Sequence, residues 1–166
     1  FVDNYTYFRV AKYPPKPKLE EGEMGVNAHA DTGFMTFLPP ANEEGLQVLD
    51  TNGEWFWPDL PDNSLIVNAG QFLERWANDR FRATPHRVLP PMNADRYSLA
   101  CFVNPNFEAT CECLSTCTSP DNPPKYESQS YLDFFAWYMK LNRREIIFFC
   151  LGKNLFNFKL LGIINS

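Results

Sequence analysis

The most constraining feature of the sequence is a series of about eight short β-strand-like runs, each closed by turn residues. The dipeptide Asn52-Gly53 lies between two such runs and is a strong hairpin signal, because both residues tolerate a positive φ. Fourteen prolines favour turns and argue against a bundle of long helices. Short strands at this spacing predict a mainly β domain, either a sandwich or a jelly roll. The strand-like runs are residues 1–13, 26–30, 33–38, 46–50, 54–57, 65–68, 83–89 and 97–104.

The character of the sequence changes after Phe107. Residues 111–129 are rich in Cys, Ser, Thr and Pro and predict an irregular loop, and residues 130–145 predict a helix that Ser130 and Asp133 would cap. The apolar stripe of this helix is expected at Leu132, Phe135, Ala136 and Met139. We therefore predict a core over residues 1–110, and a loop and helix over 111–145 that pack on it.

Residues 146–166 form a divergent apolar tail. Its longest unbroken apolar run, 146–152, is far shorter than the roughly 20 residues that a transmembrane helix needs. Lysine and asparagine side chains interrupt the rest of the tail. We predict a packed or frayed tail and no association with a membrane.

Charge and cysteine content limit the partners and the compartment. The net charge of −5 leaves no basic footprint, so no nucleic-acid partner is predicted. An odd count of five cysteines favours a reducing compartment and a cytoplasmic location. Cys111, Cys113 and Cys117 suggest a zinc site, but a second pair of ligands is missing, and reduced thiols are the expected state.

Both histidines of the chain lie in strand-like runs. His29 and Asp31 have the i, i+2 spacing that places two side chains on one face of a strand, and His86 lies in a separate run. Two imidazoles and one carboxylate form the facial triad of non-haem Fe(II) oxygenases, which leaves coordination positions open. The alternative is that the His-x-Asp pattern is fortuitous and that both histidines are surface residues.

Arg96 and Ser98 repeat the i, i+2 spacing directly after the turn at residues 90–95. We expect this turn to fold their strand back beside the strand of His86. A guanidinium and a hydroxyl on one face can bind a carboxylate through charge-assisted hydrogen bonds. A dicarboxylate could then chelate an iron ion at one end and reach Arg96 at the other. The alternative is a surface arginine next to an ordinary strand serine.

The pattern resembles that of the Fe(II)/2-oxoglutarate-dependent dioxygenase superfamily in the order and spacing of five residues: His29, Asp31, His86, Arg96 and Ser98. The similarity covers about residues 5–145, and the isopenicillin-N-synthase-like branch is the closer match. Several further stretches resemble that branch, namely Phe8-Arg9-Val10, Tyr13-Pro14-Pro15 and residues 27–33, 45–48, 65–70, 84–88 and 96–98.

The resemblance implies a double-stranded β-helix, which is a cupin-like jelly roll, with a C-terminal helix. It implies that His29, Asp31 and His86 are the iron ligands and catalytic residues. Arg96 and Ser98 would bind the distal carboxylate of 2-oxoglutarate, and Tyr13 would add a hydrogen bond to it. The N-terminal region that normally precedes this part of the family is absent from the sequence.

The implied activity is the oxidation of a small organic substrate by hydroxylation, desaturation or ring closure. In the family, Fe(II) is the cofactor, O2 and 2-oxoglutarate are co-substrates, ascorbate serves as a reductant, and 2-oxoglutarate is decarboxylated to succinate. Two alternatives stay open: an iron-dependent oxidase that does not use 2-oxoglutarate, and a truncated, non-catalytic jelly roll. We expect a monomer whose partner is a small molecule.

Four further residues have two interpretations each at this point. Asn68 would either orient a metal ligand or serve as a structural polar group at a strand end. Phe102, Asn104 and Phe107 follow the Arg96–Ser98 strand, so they would either line a substrate pocket or pack in the core.

Overall fold

A computed structural model describes residues 3–20, 22–61 and 63–141 of the chain. The predicted mainly β class is confirmed, since short antiparallel strands make up most of the regular structure. The strands are β1 (Tyr5–Tyr13), β2 (Val26–His29), β3 (Met35–Leu38), β4 (Leu46–Leu49), β5 (Trp55–Phe56), β6 (Ile66–Ala69), β7 (His86–Val88), β8 (Arg96–Asn104), β9 (Thr110–Cys111) and β10 (Gln129–Ser130). The helices are α1 (Gln71–Trp76) and α2 (Tyr131–Leu141), with a 3-10 turn at Ser115–Cys117.

Two four-stranded antiparallel sheets form the walls of the domain. One sheet has the order β1-β8-β3-β6 and the other has the order β2-β7-β4-β5. The two longest strands, β1 and β8, pair along their whole length, from Tyr5 opposite Asn104 to Tyr13 opposite Arg96. Side chains from both sheets line one pocket between them. This two-sheet arrangement is the jelly roll that the sequence predicts.

The turn at residues 90–95 does not place the strand of Arg96 beside the strand of His86, contrary to the expectation from the sequence. Strand β8 pairs with β1 and β3, whereas β7 pairs with β2 and β4, so the prediction that these two strands are neighbours is wrong. The segment crosses from one sheet to the other. Pro90 and Pro91 lack the N–H groups that a continuing ladder needs. Arg96 and His86 therefore lie on opposite walls of the pocket.

An aromatic cluster attaches α2 to the rest of the domain. Phe72 of α1 is fully buried and packs against Tyr131 and Phe134 of α2. The predicted cap is present, because Ser130 Oγ accepts a hydrogen bond from the Asp133 N–H and donates one to its carboxylate. The predicted apolar stripe is correct at Met139, which is buried, and at Phe135, which packs against the cluster. It is wrong at Ala136 and Leu132, which are exposed, because the aromatic contacts with α1 place Tyr131 and Phe134 inside.

The segment at 111–129 is more ordered than an irregular loop. Its ends form the short β9–β10 pair, and Asn78 anchors its middle. The buried Asn78 amide donates to the carbonyls of Cys117 and Pro123 and accepts from the Lys125 N–H. The remainder of the predicted helix, residues 142–145, and the predicted tail, 146–166, lie outside the described residues, so the three-part division of the chain stays a prediction.

Side chains along β1 alternate between the inside of the domain and its outer surface. Phe8 and Val10 point outward and are 65% and 74% exposed, while Arg9, Ala11 and Tyr13 line the pocket. Within the described ranges, no helix has the length and apolar character to cross a bilayer. The expected cytoplasmic location and the monomeric state stay predictions.

Candidate metal centre and adjoining pocket

The two imidazoles come together because β2 and β7 are neighbours. His29 and His86 are opposite each other in this antiparallel pair, and their ring centroids are 4.4 Å apart. Each Nδ1 lies within hydrogen-bond distance of the backbone carbonyl two residues earlier, 2.9 Å for His29 with Asn27 and 3.1 Å for His86 with Thr84. A carbonyl only accepts, so these contacts assign the hydrogen to Nδ1 and leave Nε2 as a bare acceptor in the neutral ring.

Asp31 completes the cluster from the loop that follows β2, not from the strand itself, which ends at His29. Its carboxylate is buried, and its Oδ2 accepts hydrogen bonds from Thr36 Oγ1 at 2.5 Å and from Asn68 Nδ2 at 3.1 Å. Thr36 and Asn68 are themselves opposite residues of β3 and β6 in the other sheet. The two donors hold Oδ2, so Oδ1 is directed at the imidazoles.

The ligand atoms of His29, Asp31 and His86 are spaced as the ligands of one divalent cation would be. Asp31 Oδ1 lies 3.7 Å from Nε2 of His29 and 3.6 Å from Nε2 of His86. Ligand atoms about 2.1 Å from one ion can be no more than about 4.2 Å apart, so both distances are compatible with a shared ion. Three acceptor atoms that face one another cannot hydrogen-bond to each other, and a cation between them would balance them. Among the described residues, these three form the one group of His, Cys, Asp and Glu side chains with such spacing.

Burial favours the neutral form of the His29 imidazole. Burial is the main cause that lowers the pKa of His29, and the nearby side chains of His86 and Arg9 act in the same direction. Metal-ligating imidazoles must be neutral at the ligating nitrogen. The environment of His29 therefore favours the protonation state that binds a cation.

Arg96 lies in the same pocket, on the opposite wall. The residue is 3% exposed, its Nε donates to the Glu43 carbonyl at 3.0 Å, and its Nη1 is buried without a hydrogen-bond partner among the described residues. Burial lowers the pKa of the Arg96 guanidinium. A buried cation with a free N–H is costly unless an anion pairs with it. The pocket thus contains an unsatisfied anion-binding group.

Tyr13 and Gly45 shape the surroundings of this guanidinium. The Tyr13 ring lies opposite Arg96 in the β1–β8 ladder, with its centroid 5.3 Å from the guanidinium carbon. A Cβ at Gly45 would lie 2.7 Å from Arg96 Nε and 2.8 Å from its Cδ, so only glycine leaves room for the arginine stem. Ser98 also lines the pocket, two residues along β8 from Arg96.

Of the four residues with two interpretations, two lie at the pocket and two do not. Asn68 contacts the Asp31 carboxylate, and Phe102 lines the pocket. Asn104 and Phe107 lie elsewhere: Asn104 accepts a hydrogen bond from the Phe34 N–H, and Phe107 stacks on Tyr131. Cys111, Cys113 and Cys117 join no metal-binding group among the described residues, and the reduced state of their thiols stays a prediction.

Sequence reasoning assigned no role to Arg9 and Thr36, which line this pocket, or to Gly45, which lies against the Arg96 side chain. Arg9 carried a detectable signal, because it shares the i, i+2 alternation with Tyr13 on β1. Thr36 carried none, and Gly45 appeared only within a stretch that resembles the family, since the roles of both residues depend on contacts between segments that are distant in the chain.

Comparison with known proteins agrees with this geometry. Residues 2–105, more than half of the chain, match the family described as the 2OG-Fe(II) oxygenase superfamily. The chain belongs to this superfamily. Fe(II), 2-oxoglutarate and O2 are the cofactor and co-substrates of the family, and the His-Asp-His set fits the ferrous ion.

The superfamily member is similar to several individual relatives. It is 36% identical over 121 residues to the 2-oxoglutarate-Fe(II) type oxidoreductase hxnY of Emericella nidulans, covering 71% of this chain and 35% of that protein. It is 38% identical over 127 residues to 2-oxoglutarate-dependent dioxygenase 11 of Oryza sativa subsp. japonica, covering 76% and 35%. A crystal structure of a 2OG-Fe(II) oxygenase family protein from Caulobacter crescentus is similar with a TM-score of 0.75 at 32% identity, covering 85% and 47%. The 2OG-Fe(II) oxygenase chain described here thus spans about a third of the length of the two curated relatives.

Proposed function

We propose that this chain carries the catalytic centre of an Fe(II)- and 2-oxoglutarate-dependent dioxygenase that oxidises a small organic molecule. His29, Asp31 and His86 would hold the iron, and Arg96 with Ser98 would bind the distal carboxylate of 2-oxoglutarate. The single observation that carries the proposal is that one pocket joins a set of three acceptor atoms to a buried guanidinium with an unsatisfied N–H.

The protein's own residues would prepare each end of the pocket for its ligand. The carbonyls of Asn27 and Thr84 fix the orientation of the two imidazoles, while Thr36 and Asn68 fix the Asp31 carboxylate. Bound iron would supply the activation of O2, coupled to decarboxylation of 2-oxoglutarate to succinate and oxidation of the substrate.

At the other end, the Tyr13 ring and the wall around Arg96 exclude water from the guanidinium. An ion pair formed there would therefore experience a lower dielectric than one at the surface. The Ser98 hydroxyl, which lines the same pocket, would donate a hydrogen bond to the same carboxylate. The Tyr13 hydroxyl is proposed as a further partner of the co-substrate.

An anaerobic calorimetric titration of 2-oxoglutarate into the Fe(II)-loaded protein tests the proposal. We expect one 2-oxoglutarate per iron, with a charge-transfer absorption band that develops in parallel, and no binding to the metal-free protein at the same concentrations. Admission of O2 should then form succinate. Iron binding without 2-oxoglutarate binding would indicate the oxidase alternative, and failure to bind iron would indicate the non-catalytic alternative.

Gly45→Ala should weaken 2-oxoglutarate binding without any change at the metal cluster. The added methyl group would displace the Arg96 stem, because its carbon would lie 2.7 Å from Arg96 Nε and would also meet the Leu89 carbonyl at 3.0 Å. We expect a roughly tenfold loss of affinity for 2-oxoglutarate, because loss of one well-placed charged hydrogen bond costs about 1.5 kcal/mol. Metal affinity should stay within twofold of wild type in the same titration.

The matched control for this variant is Gly53→Ala. Gly53 lies in the exposed β4–β5 turn with a φ of +85°, and a Cβ added there would meet nothing within 4 Å. The residue is also outside the pocket that contains the guanidinium. Its substitution should lower the melting temperature but leave the affinity for 2-oxoglutarate unchanged. Equal 2-oxoglutarate affinity in Gly45→Ala and wild type would show that Arg96 does not need its observed position.

A further inference from the structure

Arg9 is a second cation in the pocket, and the proposed function does not use it. It shares the inward face of β1 with Ala11 and Tyr13, and it lines the same pocket as His29 and Asp31. Unlike Arg96, it is exposed to solvent. An exposed, inward-directed guanidinium of this kind is accessible to a molecule that enters the pocket.

Arg9 has no counter-ion in the described part of the chain. None of the ion pairs there involves its guanidinium. Asp31, the carboxylate that lines the same pocket, already has Oδ2 occupied by Thr36 and Asn68 and Oδ1 directed at the imidazoles. The Arg9 side chain nevertheless shares the pocket with the cluster, since Arg9, His29 and Asp31 all line it.

Arg9 and Arg96 lie at different positions along the pocket. Arg96 is opposite Tyr13 in the β1–β8 ladder, whereas Arg9 is opposite Ala100, and Arg9 and Tyr13 are four positions apart on β1. At about 3.3 Å per residue, the two positions are roughly 13 Å apart along the strand. A single carboxylate group therefore cannot bridge the two guanidinium positions without large side-chain movements, and the pocket offers two separate anion-binding groups.

We infer that Arg9 binds a carboxylate of the organic substrate, so that the enzyme selects carboxylic acids over neutral molecules. This inference rests on the proposed function, which assigns the buried Arg96 to 2-oxoglutarate. The exposed Arg9 is the group that remains for a second molecule at the metal end of the pocket. A guanidinium binds a carboxylate through two parallel hydrogen bonds, and an amide of the same shape cannot replace the charge.

Matched acids and amides test this inference by binding alone. The full chain, loaded with Mn(II) and saturated with 2-oxoglutarate, is titrated calorimetrically with phenylacetate, 3-phenylpropionate and hexanoate, and with the primary amide of each. We expect at least one acid to bind about tenfold more tightly than its amide, which corresponds to about 1.4 kcal/mol. Arg9→Gln should remove this preference and leave amide affinity within twofold, and Arg9→Lys should restore part of it.

Lys12→Gln is the control, because Lys12 lies on the same strand but points outward and pairs with Asp95. It should leave the preference for acids unchanged. Three results would overturn the inference: no acid that binds better than its amide, a preference that survives Arg9→Gln, or a loss of 2-oxoglutarate affinity in Arg9→Gln as large as in Arg96→Gln. The last result would assign Arg9 to the co-substrate.

The same titrations separate this inference from the proposed function. If wild-type protein does not bind 2-oxoglutarate, the proposed function fails. The acid and amide titrations are then made on the Mn(II)-loaded protein alone, and dependence of the acid preference on Arg9 still decides whether Arg9 is a carboxylate-binding residue.

Discussion

Asp31→Ala is expected to abolish stoichiometric binding of Fe(II) or Mn(II), with a loss of affinity of more than about 100-fold. Loss of a single supporting residue around a metal ligand already costs about 10- to 100-fold, and removal of the carboxylate itself should cost more. The two imidazoles would remain, but neutral nitrogen ligands do not compensate the charge of the ion. Anaerobic equilibrium dialysis with either metal measures the effect.

Two further variants test whether the loss of metal affinity comes from the Asp31 carboxylate itself. Thr36→Val keeps the carboxylate but removes its 2.5 Å hydrogen bond, and it should reduce metal affinity by about tenfold. Asp59→Ala removes an exposed aspartate and should have no effect. A cooperative thermal transition in Asp31→Ala would show that the loss is not one of folding. Wild-type metal affinity in folded Asp31→Ala would contradict the assignment of the cluster.

Arg96→Gln is expected to reduce the affinity for 2-oxoglutarate by at least about 100-fold at unchanged metal affinity. Two charge-assisted hydrogen bonds from a buried guanidinium are together worth about 3 kcal/mol or more, which is about two orders of magnitude in Kd. The glutamine retains polarity but not charge. Calorimetric titration of 2-oxoglutarate into the Mn(II)-loaded protein measures the loss.

Two other variants test whether the loss of 2-oxoglutarate affinity is specific to Arg96. Ser98→Ala removes one neutral donor and should cost about fivefold in the affinity for 2-oxoglutarate, because a single neutral hydrogen bond contributes about 1 kcal/mol. Arg80→Gln removes an exposed arginine outside the pocket and should change nothing. An Arg96→Gln protein that binds 2-oxoglutarate as wild type does would show that the buried guanidinium serves another anion.

The strands were predictable because their signals are local. Alternation and turn residues located the eight main strands within a few residues, and the Ser130 cap located the start of α2. The buried face of α2 was predicted only in part: Met139 is buried as expected, but Leu132 is apolar and exposed, because ring packing between Phe72 and Tyr131 decides the helix rotation. Local hydrophobicity does not encode which neighbour a side chain meets.

The polar positions of the pocket were also proposed from the sequence, and the structure supplied what joins them. His29 and His86 meet because β2 pairs with β7, a pairing that depends on the whole sheet. Thr36 and Asn68 reach Asp31 from the second sheet, and no spacing in the chain predicts that contact. Their effect depends on how the two sheets face each other.

The amino-acid sequence by itself determined the β class, the candidate residues His29, Asp31, His86, Arg96 and Ser98, and the family resemblance, because residue types and short spacings are local properties. Only the tertiary structure decided that Arg96 lies on the wall opposite His86, that its guanidinium is buried with an unsatisfied N–H, and that Arg9 shares the pocket without a counter-ion. Burial, strand pairing and the absence of a partner among the described residues arise from contacts between distant segments, and those contacts exist only in the folded chain.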